Sequence, residues 1–267
     1  MRRNPWLTKP FIVRTAAAIF ALLAVIVLAP YEARAEDDAK AILKKMSDYI
    51  AGQQNFSLAY DSDVEVITPD LQKIQFTNSG KMVVSRPDKV WAERQGGYSD
   101  VALFLDGKAL TVFGKHLNAY AQSSAPGPID ATIDALRNDF GAEMPGADLV
   151  LSNVYEALSE GVLDARHIGE GVVDGVECEH LAFRNEDTDW QLWVEKGERP
   201  IPRKYVITSK AVAAAPQYTL LIKDWKEGQA AADAFAFAAP ADAKKVDFKE
   251  LKAMDEIPEG VVIGESR

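Results

Sequence analysis

The chain has 267 residues, 48% hydrophobic and 26% charged, which is the composition of a globular protein with its own core and not of a disordered segment. Thirty Lys and Arg face 40 Asp and Glu, a formal net charge of −10; such a surface repels phosphate backbones and excludes nucleic acid as a partner. One cysteine, Cys178, excludes an intrachain disulfide framework.

The N-terminus reads as an address. Arg2, Arg3, Lys9 and Arg14 make a positive leading region, Ala16–Ala29 is an apolar run, and Ala33-Arg34-Ala35 is a small-x-small cleavage site. The apolar run is shorter than the ~20 residues a membrane-spanning helix needs. Residues 1–35 are therefore expected to be a signal peptide, and residues 36–267 one exported, soluble, periplasmic domain. Cleavage removes five basic residues and one acidic residue, which leaves 25 against 39 and a net charge of −14. That charge is not drawn to anionic headgroups.

The mature chain opens with a helix over 37–52, with Ala39, Ile42, Leu43, Met46, Tyr49 and Ile50 on one stripe and Gly52 as its stop. Two long alternating runs follow, 56–67 and 71–85, joined at Thr68-Pro69-Asp70 as a hairpin with one wet face. Asn78, Ser79 and Gly80 weaken its second arm and suggest a bulge or bend. Shorter strands are expected at 89–94, 99–105 and 109–121, the last two separated by Asp106-Gly107, a hairpin signal.

From Ile129 the period changes from 2 to about 3.6. Ile129, Ile133, Leu136 and Phe140 form one amphipathic helix, Asp148–Leu158 a second, with Pro145 and Gly146 between them. Strands resume at 163–169, 176–184, 189–195, 204–208 and 218–226, punctuated by Asp174-Gly175, Asn185–Asp187 and Pro200-Ile201-Pro202. In the third of these, Trp190, Leu192 and Val194 share one face and Gln191, Trp193 and Glu195 the other, so the sheet is expected to be covered partly on both sides. Residues 231–239 are rich in Ala and Phe and expected to close over a sheet edge, and 255–267 to be a loose tail. The order gives an α+β class, an antiparallel sheet with helices segregated to one side.

Reactive groups make no catalytic set. Cys178 and His180 lie two apart on a strand, roughly 7 Å, beyond hydrogen-bond reach for a nucleophile and its base. A metal needs three or four ligands, and His116 and His167 stand at no ligand spacing to them. The acidic groups Glu186-Asp187-Thr188-Asp189 and Asp61/Asp63 fall in a turn and on a wet face, where carboxylates are solvated. No hydrolase, zincin or P-loop motif occurs. Neither an enzyme nor a cofactor is expected. Arg184 suits a structural ion pair. What remains is an aromatic set on strands, which ordinarily packs a core and, beneath a lid of helices, equally lines a cavity.

Gly175, Cys178, His180 to Arg184, Asp189-Trp190-Gln191-Leu192-Trp193 and Pro200 to Lys204 resemble a bacterial family of predicted periplasmic proteins related to LolA/LolB-type lipoprotein carriers. Asp106-Gly107-Lys108, Tyr120, Pro145, Asp148, Ala215 to Thr219 and Asp224-Trp225 extend the resemblance over most of the mature chain. It implies a strongly curved half-barrel, with the helices at 37–52 and 129–158 as its lid. Between them a cavity for a lipid or lipoprotein acyl chain would be lined by Trp91, Phe104, Phe113, Tyr120, Ile133, Phe140, Trp190, Tyr205 and Tyr218. The alternative is a module of the same fold that binds another periplasmic or membrane protein.

Overall fold

The computed structural model describes residues 35–97, 100–231 and 233–251. The expected signal peptide, apart from Ala35, and the expected tail lie outside them.

Helix α1 covers residues 35–51 and buries Ala39, Leu43, Met46 and Ile50 on one stripe. Six strands follow: β1 (Asn55–Ile67), β2 (Lys73–Ser85), β3 (Lys89–Gly96), β4 (Asp100–Asp106), β5 (Ala109–Gly114) and β6 (Ala119–Ser124). Then come α2 (Ile129–Phe140), a 3-10 turn (Ala147–Val150) and α3 (Val154–Ser159). Five more strands are β7 (Asp164–Val173), β8 (Val176–Arg184), β9 (Thr188–Glu195), β10 (Pro202–Ser209) and β11 (Gln217–Glu227). A two-residue β12 (Lys244–Lys245) and α4 (Phe248–Leu251) complete the order.

All twelve strands form one sheet, ordered β12-β6-β5-β4-β3-β2-β1-β11-β10-β9-β8-β7. Among the described residues only β12 on β6 is parallel. Two meanders, β1–β6 and β7–β11, are joined where β11 returns to pair with the free edge of β1. The sheet is open and curved, with β12 and β7 at its ends. Its curl brings the β7–β8 turn, at Val173, Asp174 and Val176, beside Arg203, Ile222, Lys223 and Asp224 around a hollow of about 280 Å³.

Pleat alternation assigns the two faces. On the inner face Leu110, Leu105, Val90, Val84 and Phe56 stand side by side across β5, β4, β3, β2 and β1, none more than 7% exposed. They share one core with α1, with Ile129, Ile133 and Leu136 of α2, and with Leu149 to Leu151, Val154 and Leu158. Polar ties fix the helices there. Arg86 gives Nη1 to the Val150 carbonyl at 2.7 Å and Nε to the Gln53 carbonyl at 3.1 Å, and the Ile129 amide meets the Pro87 carbonyl at 2.9 Å. The Tyr49 hydroxyl donates to Glu227; burial first, then that bond, pushes its pKa up to about 12.

Three local expectations change. The run 109–121 is two strands, because Asn118 takes a left-handed φ of 46° and closes a turn from Lys115. The run 148–158 is not one helix: Leu151 is extended, at ψ 161°, which buries its side chain, and Ser152 is held by the Asp130 carboxylate. The hairpin of β1 and β2 keeps its register through Asn78, Ser79 and Gly80 without a bulge.

Candidate functional site

The row next to the buried one is covered less completely. Val112, Leu103, Ala92, Met82 and Leu58 are direct cross-strand neighbours from β5 to β1. All five are apolar and all are only half-buried. The inner face over β8 to β11 is closed, with Leu181, Leu192, Tyr205, Leu220 and Ile222 at most 8% exposed; over β1 to β5 the second row is covered only in part. The third row reads Gly114, Val101, Arg94, Gly80 and Tyr60. The Tyr60 ring lies against Gly80 and its hydroxyl donates to the Glu93 carbonyl at 3.0 Å. Leu58, Met82, Ala92 and Leu103 pack against the margin of the core and keep part of their surface exposed.

The nine residues expected from the sequence divide between the two faces. Trp91 is the cross-strand neighbour of Phe104, and Phe113 of Tyr120, all four on the outer face, away from the helices. Phe237 sits among three of them, its ring 5.2 Å from Phe104, 5.6 Å from Phe113 and 5.0 Å from Tyr120. Those three pack beneath the chain's own C-terminal segment, which crosses the outer face before β12 joins β6. The other five are on the helix side. Ile133 is buried, and Phe140 meets Phe248 at 4.8 Å. Trp190 stacks on Phe183 at 3.9 Å, meets Tyr205 edge-on at 5.8 Å and donates its indole N–H to Asn185. Burial raises the Tyr205 phenol pKa, with the Asp148 charge adding to it. Tyr218 is half-buried, beside Ile207.

The partly buried row has no signal of its own in the sequence. Leu58, Met82, Ala92, Leu103 and Val112 carry the same alternation as the strands around them. Only the register sets them side by side, at the margin of the core.

His167, the cross-strand neighbour of Leu181, pairs with Glu179 at 2.8 Å on the inner face, whereas Cys178, His180, Arg184 and Asp61 fall on the outer one. Cys178 is fully buried, with its thiol toward the Val176 carbonyl at 3.4 Å, and burial pushes its pKa up. His180 stacks on Trp193 at 4.1 Å and pairs with Gln191 at 3.0 Å; burial lowers its pKa. Arg184 pairs with Asp189 at 3.0 Å, and Asp61 with Lys223. Among the described residues no group of three His, Cys, Asp or Glu is placed to hold a metal, and no helix is long and apolar enough to cross a membrane.

A family model described as predicted periplasmic protein (DUF2092) matches residues 39–249. The chain belongs to that family. The sequence resemblance pointed to a family of this description, and the DUF2092 match covers the strands of both faces alike. No curated protein matches the chain. Solved structures similar to this family member include an uncharacterized conserved protein from Thermus thermophilus, at 12% identity and TM-score 0.45, over 79% of this chain and 99% of that one. LprF from Mycobacterium bovis is similar at 14% identity and TM-score 0.43, over 78% and 98%. A LolA superfamily protein from Nitrosomonas europaea is similar at 13% identity and TM-score 0.37, over 74% and 97%.

Proposed function

We propose that the exported, mature protein binds an apolar ligand, a lipid or the acyl chain of a lipoprotein, on the inner face between sheet and helices, and that it carries this ligand through the periplasm. The observation behind this reading is the partly buried apolar row Val112, Leu103, Ala92, Met82 and Leu58 on the inner face. Each methylene buried there contributes ~0.8 kcal/mol. Burial of about ten methylenes gives about 8 kcal/mol, micromolar binding before the ordering cost of the ligand is subtracted. Opening of the helical layer would admit longer chains.

Uptake of a fluorescent fatty-acid analogue by the mature protein tests this. Saturable binding is expected, weakened about tenfold or more by Ala92→Phe, which fills the middle of the row, on the ~1.4 kcal/mol-per-decade scale. Wild-type protein that takes up none of the probe sinks the reading.

A second reading, a module that binds another protein, is favoured by the edge strand β7. Leu163, just before it, and Ile168 and Val172 within it are 71%, 54% and 68% exposed, and an apolar sheet edge is a template for strand addition.

A further inference from the structure

The turn that closes β7 onto β8 fixes which backbone groups face outward at that end of the sheet. Asp174 and Gly175 take φ of 47° and 80° between Val173 and Val176. A two-residue turn with both φ positive makes its flanking residues a hydrogen-bonded pair. Antiparallel pairs alternate, so Val172 with Glu177 and Glu170 with Glu179 are pairs that do not bond each other. On β8 such groups turn to β9, and the Lys196 amide meets the Glu177 carbonyl at 3.0 Å. On β7, where the sheet ends among the described residues, the N–H and C=O of Glu170 and Val172 turn to the open edge.

The side chains there combine apolar surface with negative charge. Val172 is exposed, as are Ile168 and Leu163 further along the same edge. Glu170 and Asp174 stand two residues to either side of Val172, and Glu177 is its cross-strand neighbour. Lys196 pairs with Glu170, and Arg166 with Asp164. Among the described residues Asp174 and Glu177 make no ion pair. The register shift between His167 and Gly169 bends the strand and confines the regular stretch of edge to residues 169–173.

We propose that this edge takes a short, extended, basic segment of a partner protein as an added strand: an apolar residue of the segment lies against Val172, and Lys or Arg two residues to either side meet Glu170 and Asp174. This rests on the protein-binding reading of β7 and adds the partner's chemistry. Backbone bonds to Glu170 and Val172 set the register, and opposite charges on neighbouring strands favour the pairing where like charges oppose it. A second copy of this chain brings the same carboxylates to the edge and is disfavoured by them.

The probe is the blocked peptide acetyl-Thr-Lys-Thr-Val-Thr-Lys-Thr-amide, compared with its analogue carrying Glu for both Lys. The readout is amide hydrogen exchange of the mature protein. The lysine peptide is expected to slow exchange at Glu170 and Val172 by about fivefold or more at saturation. The glutamate peptide should bind about tenfold or more weakly. Val172→Pro removes an N–H that bonds nothing on β8 and is expected to abolish the effect, since an edge strand accepts Pro where its N–H faces solvent. Val172→Lys, which leaves the backbone unchanged, should also lose the lysine peptide. Equal binding of the two peptides overturns the charge selectivity and leaves the edge reading standing. Binding of neither peptide overturns the proposal together with that reading. Protection of Glu170 and Val172 that rises with protein concentration, with no peptide present, assigns the edge to a second copy and overturns the proposal as well.

Discussion

Gly80 shows what a single residue decides. A Cβ built there would lie 2.3 Å from the Glu93 carbonyl oxygen and 2.3 Å from the Tyr60 ring. Ordinarily Ala in place of Gly inside a strand gains about 0.5–1 kcal/mol through backbone entropy. Here the contact is with backbone, which has no rotamer to retreat into, so overpacking wins and Gly80→Ala is expected to cost about 1–3 kcal/mol. For a chain of this size that is a fall of roughly 3–10 °C in melting temperature. An unchanged or raised melting temperature would contradict the close approach of Tyr60 across Gly80. In the sequence the same glycine read as a weak spot in a hairpin. It is a seat for an aromatic ring two strands wide, and alternation cannot show that because the ring's partner lies on β3.

At the scale of elements, the C-terminal segment ties the two faces together. Phe237 packs on the outer-face rings, β12 adds to the β6 edge, and Phe248 reaches Phe140 at the end of α2. Phe237 is half-buried, so Phe237→Ala is expected to cost roughly 1–3 kcal/mol, below the ~3–5 kcal/mol of a fully buried ring. Its local readout is hydrogen exchange. The amides of Lys244 and Val246, bonded to the Asn118 and Tyr120 carbonyls at 2.9 Å, should lose protection while those of β8 and β9 keep theirs. Protection that stays in place would show that the segment is held by something other than this ring. The segment was legible only as an Ala- and Phe-rich run expected at a sheet edge. Its two-residue strand is too short to leave a pattern. The long strands were legible, because one buried face imposes strict alternation: Trp190, Leu192 and Val194 are buried, and Trp193 faces outward, stacked on His180. The second helix of the insertion was not, since Leu151 obeys a helical period and is nevertheless extended.

For the whole molecule, the class and the one-sided helical layer followed from periodicity, and the curvature from the family resemblance. The site followed least. Periodicity says which residues share a face of one strand, but it does not say which face of the sheet the helices cover. Trp91, Phe104, Phe113 and Tyr120 lie on strands as regular as that of Trp190, yet on the other side. On this reading the inner face holds an apolar ligand. Native mass spectrometry of the mature protein taken from its own periplasm, with lipid extraction of the same sample, tests it most directly. Retained lipid at a fixed stoichiometry, lost in Ala92→Phe, is expected. Protein that is uniformly empty, or lipid retained equally in both, would contradict it and bring the exposed edge of β7 forward as the working surface.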